Sequence, residues 1–126
     1  MRTPIALFGL AALVFAATGC NPSACSCDII ADESKCVEFS APSNALYAAQ
    51  LSGSCSSVLS SLCTSLGGTY DAANACPRTD LVADCVVDNL SYVQTEFWYS
   101  TGGDPLDPAS TEPDDDCSGN GVVNRY

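Results

Sequence analysis

The stretch Leu81-Val82-Ala83-Asp84-Cys85-Val86-Val87-Asp88-Asn89-Leu90-Ser91-Tyr92-Val93-Gln94-Thr95-Glu96-Phe97-Trp98-Tyr99-Ser100 reads as two strands folded back on each other. Leu81, Ala83, Cys85 and Val87 alternate with Val82, Asp84 and Val86, and Ser91 to Ser100 is rich in aromatic and β-branched residues, which suit a pleated, half-buried surface. Asp88-Asn89 is the turn. Loop length sets which residues face each other. A two-residue loop places Cys85 opposite Tyr92, and Leu81 and Ala83 beside Glu96 and Gln94. A three-residue loop, Asp88-Asn89-Leu90, places Leu81, Ala83 and Cys85 with Phe97, Thr95 and Val93. The second makes the better apolar face and is the expected register, with a bulge at the turn.

Upstream, Cys55, Val58, Leu59, Leu62 and Leu66 recur at three- and four-residue spacing, one apolar face of a helix, and Cys63 lies beside them. Gly67-Gly68 ends it, because glycine takes the left-handed C′ conformation without a Cβ clash. A shorter helix over Ala45 to Leu51 has Ser43 or Asn44 as N-cap. Cys36 to Ser40 and Thr69 to Asp71 are short strand candidates. The fold class expected is α+β: a small disulfide-rich domain over 36–100, with one main helix on a short antiparallel sheet of three to four strands. Residues 20–35 read as a tether. Residues 101–126 read as an acidic, Pro/Gly-rich tail, in which 101–116 is expected to be loop or disorder, Cys117 ties the C-terminal end back and Val122-Val123 adds a short edge strand. A core of this size supplies only about 3–5 kcal/mol, and each disulfide adds about 2–4 kcal/mol, so crosslinks are expected to decide whether the domain folds.

The N-terminus carries one positive charge at Arg2, an apolar run from Ile5 to Ala17 and small residues up to Gly19. That is the pattern of a secretory signal peptide over 1–19, and the run is too short to span about 30 Å of hydrocarbon. Ala17-Thr18-Gly19-Cys20 resembles the bacterial lipobox, with Ala17 where Leu is commoner. The resemblance implies diacylglycerol on the Cys20 thiol, cleavage before it and acylation of the new amino group: a covalent lipid and no other cofactor. Asn21, rather than Asp, follows Cys20, and by the enterobacterial pattern this implies the outer membrane.

Removing residues 1–19 leaves 107 residues and takes away Arg2, one of four basic side chains, so three basic face 15 acidic ones and the net charge is −12. Such a chain has no basic patch for nucleic acid or for anionic lipid; a cationic or protein partner in the envelope suits it, and oligomeric state is open. There are nine cysteines, at positions 20, 25, 27, 36, 55, 63, 76, 85 and 117. Lipidation of Cys20 leaves Cys25, Cys27, Cys36, Cys55, Cys63, Cys76, Cys85 and Cys117, an even set at the density of a disulfide scaffold in an oxidising compartment. Eight cysteines allow 105 connectivities, and the sequence does not choose among them. Thiolate metal sites fit poorly: there is no C-x-x-C pair and no histidine.

A second resemblance runs through Cys63-Thr64-Ser65-Leu66-Gly67-Gly68-Thr69-Tyr70, Ala75-Cys76-Pro77, Leu81-Val82-Ala83-Asp84-Cys85 and Phe97-Trp98-Tyr99-Ser100-Thr101-Gly102. It is similar to small cysteine-rich lipoproteins of myxobacteria and related deltaproteobacteria. It implies architecture and adds no chemistry.

Candidate chemistry is sparse. Glu38 and Glu96 are strand carboxylates of the type a glycosidase pairs, though solvated strand positions describe them as well. The chain lacks histidine and G-x-S-x-G, so serine-triad hydrolysis has no signature, and no catalytic residue is assigned. Asp114, Asp116 and Ser118 fit the first half of a calcium loop, but Arg125 stands where the bidentate Glu belongs, and a plain acidic tail is the simpler reading. Tyr92, Glu96 and Trp98 share one strand face in the expected hairpin, as an interaction face for partner, sugar or peptide, or as core aromatics. Cys25-x-Cys27 reads as a structural pair with separate partners rather than a redox pair. The expectation is a non-enzymatic envelope lipoprotein acting as a structural or interaction module. The alternatives are an extracytoplasmic ion- or ligand-binding domain using the acidic tail or the aromatic strand, and, least favoured, a hydrolase.

Overall fold

The structure is a computed structural model that describes residues 23–42, 44–117 and 119–126. The leader 1–19, the lipidation position Cys20 and Ser118 of the calcium candidate lie outside the described residues. The chain forms strands β1 (Ala24–Ile29), β2 (Lys35–Ser40), β3 (Thr69–Asp71), β4 (Leu81–Asp88), β5 (Val93–Tyr99) and β6 (Val122–Arg125). Its α-helices are α1 (Ile30–Glu33), α2 (Ala45–Ala48), α3 (Leu51–Ser54), α4 (Ser60–Leu66) and α5 (Glu112–Asp116), with a π-helical segment, Cys55–Leu59, joining α3 to α4. The strands make one six-stranded antiparallel sheet in the order β3-β1-β2-β5-β4-β6. The α+β, disulfide-rich class holds, and the sheet is larger than the three to four strands expected.

The largest difference lies in 24–35, read as a tether. It forms β1 and α1. Cys25, Cys27 and Ile29 alternate along β1 with burial of 0%, 0% and 4% exposure, and the strand pairs with β2 over its whole length. At the α1 entrance Asp28 Oδ1 accepts the Ile30 N–H at 2.9 Å, and Ser34, in the left-handed region at φ 55°, closes the turn. Residues 101–116 are not disordered either, and the edge strand expected at Val122-Val123 forms as β6. Leu106 is 8% exposed and its N–H reaches the Tyr99 carbonyl at 2.9 Å, Pro113 is the buried residue of α5, and β6 pairs with β4.

The hairpin register matches neither alternative. Asp88 pairs with Val93, Cys85 with Glu96 and Ala83 with Trp98. The loop is therefore Asn89 to Tyr92, closed by the Asn89 N–H on the Tyr92 carbonyl at 3.0 Å. The irregularity falls between Leu81 and Ala83, at the other end of the hairpin from the expected bulge.

One face of the sheet is covered by two units. The helical run 51–66 packs on the β1–β2 half, where Leu51, Cys55, Leu59 and Cys63 meet Cys25, Cys27, Ile29, Val37 and Phe39. Their spacing is four residues, which in an α-helix drifts about 40° per step. The wider π segment takes up part of that drift, and all four stay at or below 2% exposure. The same phase change turns Val58, expected on the apolar face, outward at 46% exposure. The segment 104–117 covers the β5–β4 half through Leu106 and Cys117, against Ala83, Cys85 and Trp98. The opposite face carries Cys36, Phe97, Tyr99 and Leu81 beneath Cys76.

All eight cysteines of the described residues pair: Cys25–Cys55, Cys27–Cys63, Cys36–Cys76 and Cys85–Cys117, with Cα separations of 6.1, 5.4, 6.0 and 5.6 Å. The first two fasten the helix to β1, the third fastens the 72–80 loop to β2, and the fourth fastens the end of α5 to β4. Four disulfides belong to an oxidising, extracytoplasmic environment.

Candidate functional site

Three polar constellations surround the sheet. The first lies on the face beneath the 72–80 loop. Glu38, 5% exposed, projects there from β2. Its Oε2 accepts the Cys76 N–H at 2.9 Å, and Arg78 Nη2 donates to both carboxylate oxygens at 3.1 and 2.9 Å. Arg78 Nη1 donates to the Cys76 carbonyl at 2.7 Å, and its guanidinium lies 4.3 Å from the Phe97 ring centroid. The Tyr99 hydroxyl donates to the Pro77 carbonyl at 2.8 Å. Burial pushes that hydroxyl far above the usual tyrosine range, against a smaller opposing pull from Arg78. Every oxygen of Glu38 is occupied from within the chain, so this cluster clasps the loop to the sheet.

The register also separates the carboxylate pair considered above. Glu96 faces Val37, and Glu38 is the next residue along β2. Successive strand residues point to opposite faces, so Glu38 and Glu96 have the sheet between them and form no catalytic dyad.

The second constellation is on the helix-bearing face, around Lys35. Its Nζ lies 2.8 Å from Glu112 Oε1, 3.5 Å from Asp116 Oδ2 and 4.0 Å from Glu96 Oε1, and 5.7 Å from the Trp98 ring centroid. Burial alone lowers the Lys35 pKa, but the hydrogen bond to Glu112 and the three carboxylate charges outweigh it and the net direction is up. Burial raises Glu96 above the ordinary glutamate value, opposed by Lys35 and reinforced by Asp116, Glu112 and Glu33. The Lys35 hydrogen bond holds Glu112 below it. Trp98 Nε1 is buried without a hydrogen-bond partner among the described residues.

These positions bear on two candidates that each stand beside a plainer reading. Tyr92, Glu96 and Trp98 are no exposed interaction face: Trp98 is 1% exposed in the core, Tyr92 stacks on Phe39 with centroids 4.1 Å apart, and Glu96 belongs to the Lys35 cluster. Of the calcium candidate, Asp114 pairs with Arg125 and Asp116 with Lys35. Among the described residues no group of three or more His, Cys, Asp or Glu is placed to hold a metal ion.

The third constellation lies at the end of the sheet where β1 begins. A shallow depression of about 380 Å³ is lined by Pro42, Asn44, Tyr47, Asp88, Asn89, Leu90 and Asn120. Asn44 caps α2, its Oδ1 accepting the Leu46 N–H at 3.0 Å, and Ser91 Oγ donates to Gln50 Oε1 at 2.9 Å, tying the hairpin loop to the helical side. Leu90, in the lining, is 77% exposed; Leu46, in the chain between the lining residues Asn44 and Tyr47, is 83% exposed, and Val122, two residues beyond Asn120, is 60% exposed. Among the described lining residues Asp88 is the one carboxylate, and they offer amides, a phenol and apolar tips. Sequence reasoning passed over it because Leu46 and Leu90 look like stray apolar residues until the fold brings the segments that carry them to one end of the sheet. Comparison with protein-family models, curated proteins and solved structures finds no match.

Proposed function

We propose that this chain is a bacterial envelope lipoprotein, held at the outer membrane by acyl chains on Cys20 and acting as a non-enzymatic structural or interaction module. The observation that carries the reading is the cysteine balance. The eight cysteines of the described residues pair with one another, and the ninth in the sequence is the one that follows Ala17-Thr18-Gly19. The charged clusters fit the same reading, since Glu38, Lys35 and Asp114 each spend their hydrogen bonds on internal partners. The alternative, ion or ligand binding by the acidic segment, requires a ligand that displaces Arg125 from Asp114 and Lys35 from Asp116. Intact mass spectrometry of the full chain extracted from a bacterial envelope tests the proposal. The expected mass is residues 20–126 with four disulfides plus a diacylglyceryl group; an unmodified Cys20 refutes it.

A further inference from the structure

The end of the sheet that carries Leu46, Leu90 and Val122 is also the end from which the chain leads back to Cys20. β1 starts at Ala24, which pairs with Ser40; Ser40 pairs with Val93, and Val93 with Asp88. Val122 pairs with Val86 at the same end of β4. Four residue steps separate Cys20 from Ala24, at most about 14 Å of chain, whereas the six residues of β1 set the far end of the sheet about 20 Å further on.

Charge is distributed to match. Residues 39–70, which include α2 and the whole helical run, contain no Asp, Glu, Lys or Arg. Of the exposed acids, Asp28, Asp32, Glu33, Asp80, Asp104 and Asp107 lie at or beyond the opposite end, past Cys27, Leu81 and Tyr99, while Asp114, Asp115 and Asp116 lie along the middle of the sheet, between the Arg125 pair and the Cys85–Cys117 bridge. Anionic lipid repels carboxylates within a Debye length of about 8–10 Å, and Asp88 is the one exposed acid beside the depression.

Resting on the acylation of Cys20, we propose that this end of the sheet docks against the lipid surface, with Leu46, Leu90 and Val122 entering the headgroup–acyl boundary. The acyl chains hold the domain, and the apolar tips fix its orientation so that the acid-rich end faces away from the bilayer. Apolar side chains of surface-bound segments sink about 5–10 Å into that boundary, which is the depth of the upper acyl carbons.

The test uses the full chain, produced in a bacterium that acylates lipoproteins and reconstituted into phosphatidylcholine vesicles brominated on the upper acyl carbons. Leu46→Trp and Leu90→Trp report the docked end, Asp32→Trp the far end and Val58→Trp the outer side of the helix. All four positions are exposed, and the emission of buried Trp98 is subtracted from the parent protein. The expected result is loss of about half or more of the emission at positions 46 and 90, at the depth given above, with positions 32 and 58 unchanged. Quenching at 32 or 58 equal to that at 90 overturns the orientation. So does an unquenched 46 and 90 in protein whose mass carries the acyl chains and which floats with the vesicles. An unmodified Cys20 in protein that fails to float overturns the anchor, and the orientation with it, so the two failures are read separately.

Discussion

Replacing Cys85 and Cys117 together by Ala removes a crosslink whose contribution follows from its place in the chain. The two cysteines are 32 residues apart, and no other disulfide crosses that interval. In the loop-entropy model, tying ends 32 residues apart withholds about 3.7 kcal/mol from the unfolded chain. A domain of about 100 residues shifts its melting temperature by roughly 4–8 °C per kcal/mol, so the double variant is expected to melt about 15–30 °C lower. The folded state should survive, because β6 still pairs with β4, Lys35 still binds Glu112, and Leu106 still packs on the Trp98 cluster. Calorimetry under oxidising conditions, with free thiols shown to be absent, measures the shift. Hydrogen exchange adds the sharper readout. An effect exerted on the unfolded chain lowers protection alike at the Tyr99 N–H, which donates to the Ser34 carbonyl, and at the Tyr126 N–H, which donates to the Val82 carbonyl. A melting temperature within about 5 °C of the parent, or protection lost at Tyr126 and kept at Tyr99, refutes the reasoning.

Two further perturbations address the charged clusters. Glu96 titrates above its ordinary value when folded, so the folded protein binds more protons than the unfolded chain between the two values and loses stability as pH rises through that window; Glu96→Gln should therefore raise the melting temperature at pH 7 and leave it unchanged at pH 3, as thermal scans at both pH values would show. Arg78→Ala leaves the buried Glu38 carboxylate with the Cys76 N–H as its remaining partner. Since the Arg78 side chain is 52% exposed, the expected loss is about 1–2 kcal/mol by urea unfolding, with Arg78→Lys recovering only part because an ammonium lacks the fork that holds both oxygens; an unchanged midpoint would show that the pair adds nothing.

The central hairpin, the helix ending at Gly67 and the disulfide count were legible in the sequence because each rests on a local rule. Gly67 sits at φ 69°, as the left-handed C′ position requires. β1 was hidden because its cysteines were counted as pins and not as core residues; Cys25-x-Cys27-x-Ile29 is a period-two apolar pattern once a disulfide is allowed its hydrophobic surface. The hairpin register failed because pairing apolar residues across the strands ignored the half-buried Lys35 cluster, which takes Glu96 on the face where an apolar residue was expected. The ordered 101–126 segment was illegible for another reason. Its stability comes from few, distant contacts: Gly103 N–H on the Ile30 carbonyl, Asp104 N–H on Ser34 Oγ, and the buried Leu106 and Pro113. At Gly102, with φ 111°, a Cβ would collide with the Ile30 carbonyl, so glycine is what lets the segment approach α1. The apolar end of the sheet was invisible altogether, because Leu46, Leu90 and Val122 are brought to the same end through topology alone.

The crosslinks of the first three quarters of the chain interleave: Cys25, Cys27 and Cys36 wait for Cys55, Cys63 and Cys76 in that order. A polypeptide oxidised as it emerges would offer Cys25, Cys27 and Cys36 to one another before any correct mate had appeared. Reaching the native state then means undoing those premature bridges by thiolate exchange. The molecule's biogenesis thus leans on a shuffling catalyst more heavily than its size suggests, while the final bridge between Cys85 and Cys117, being next neighbours in the order of synthesis, closes without such help.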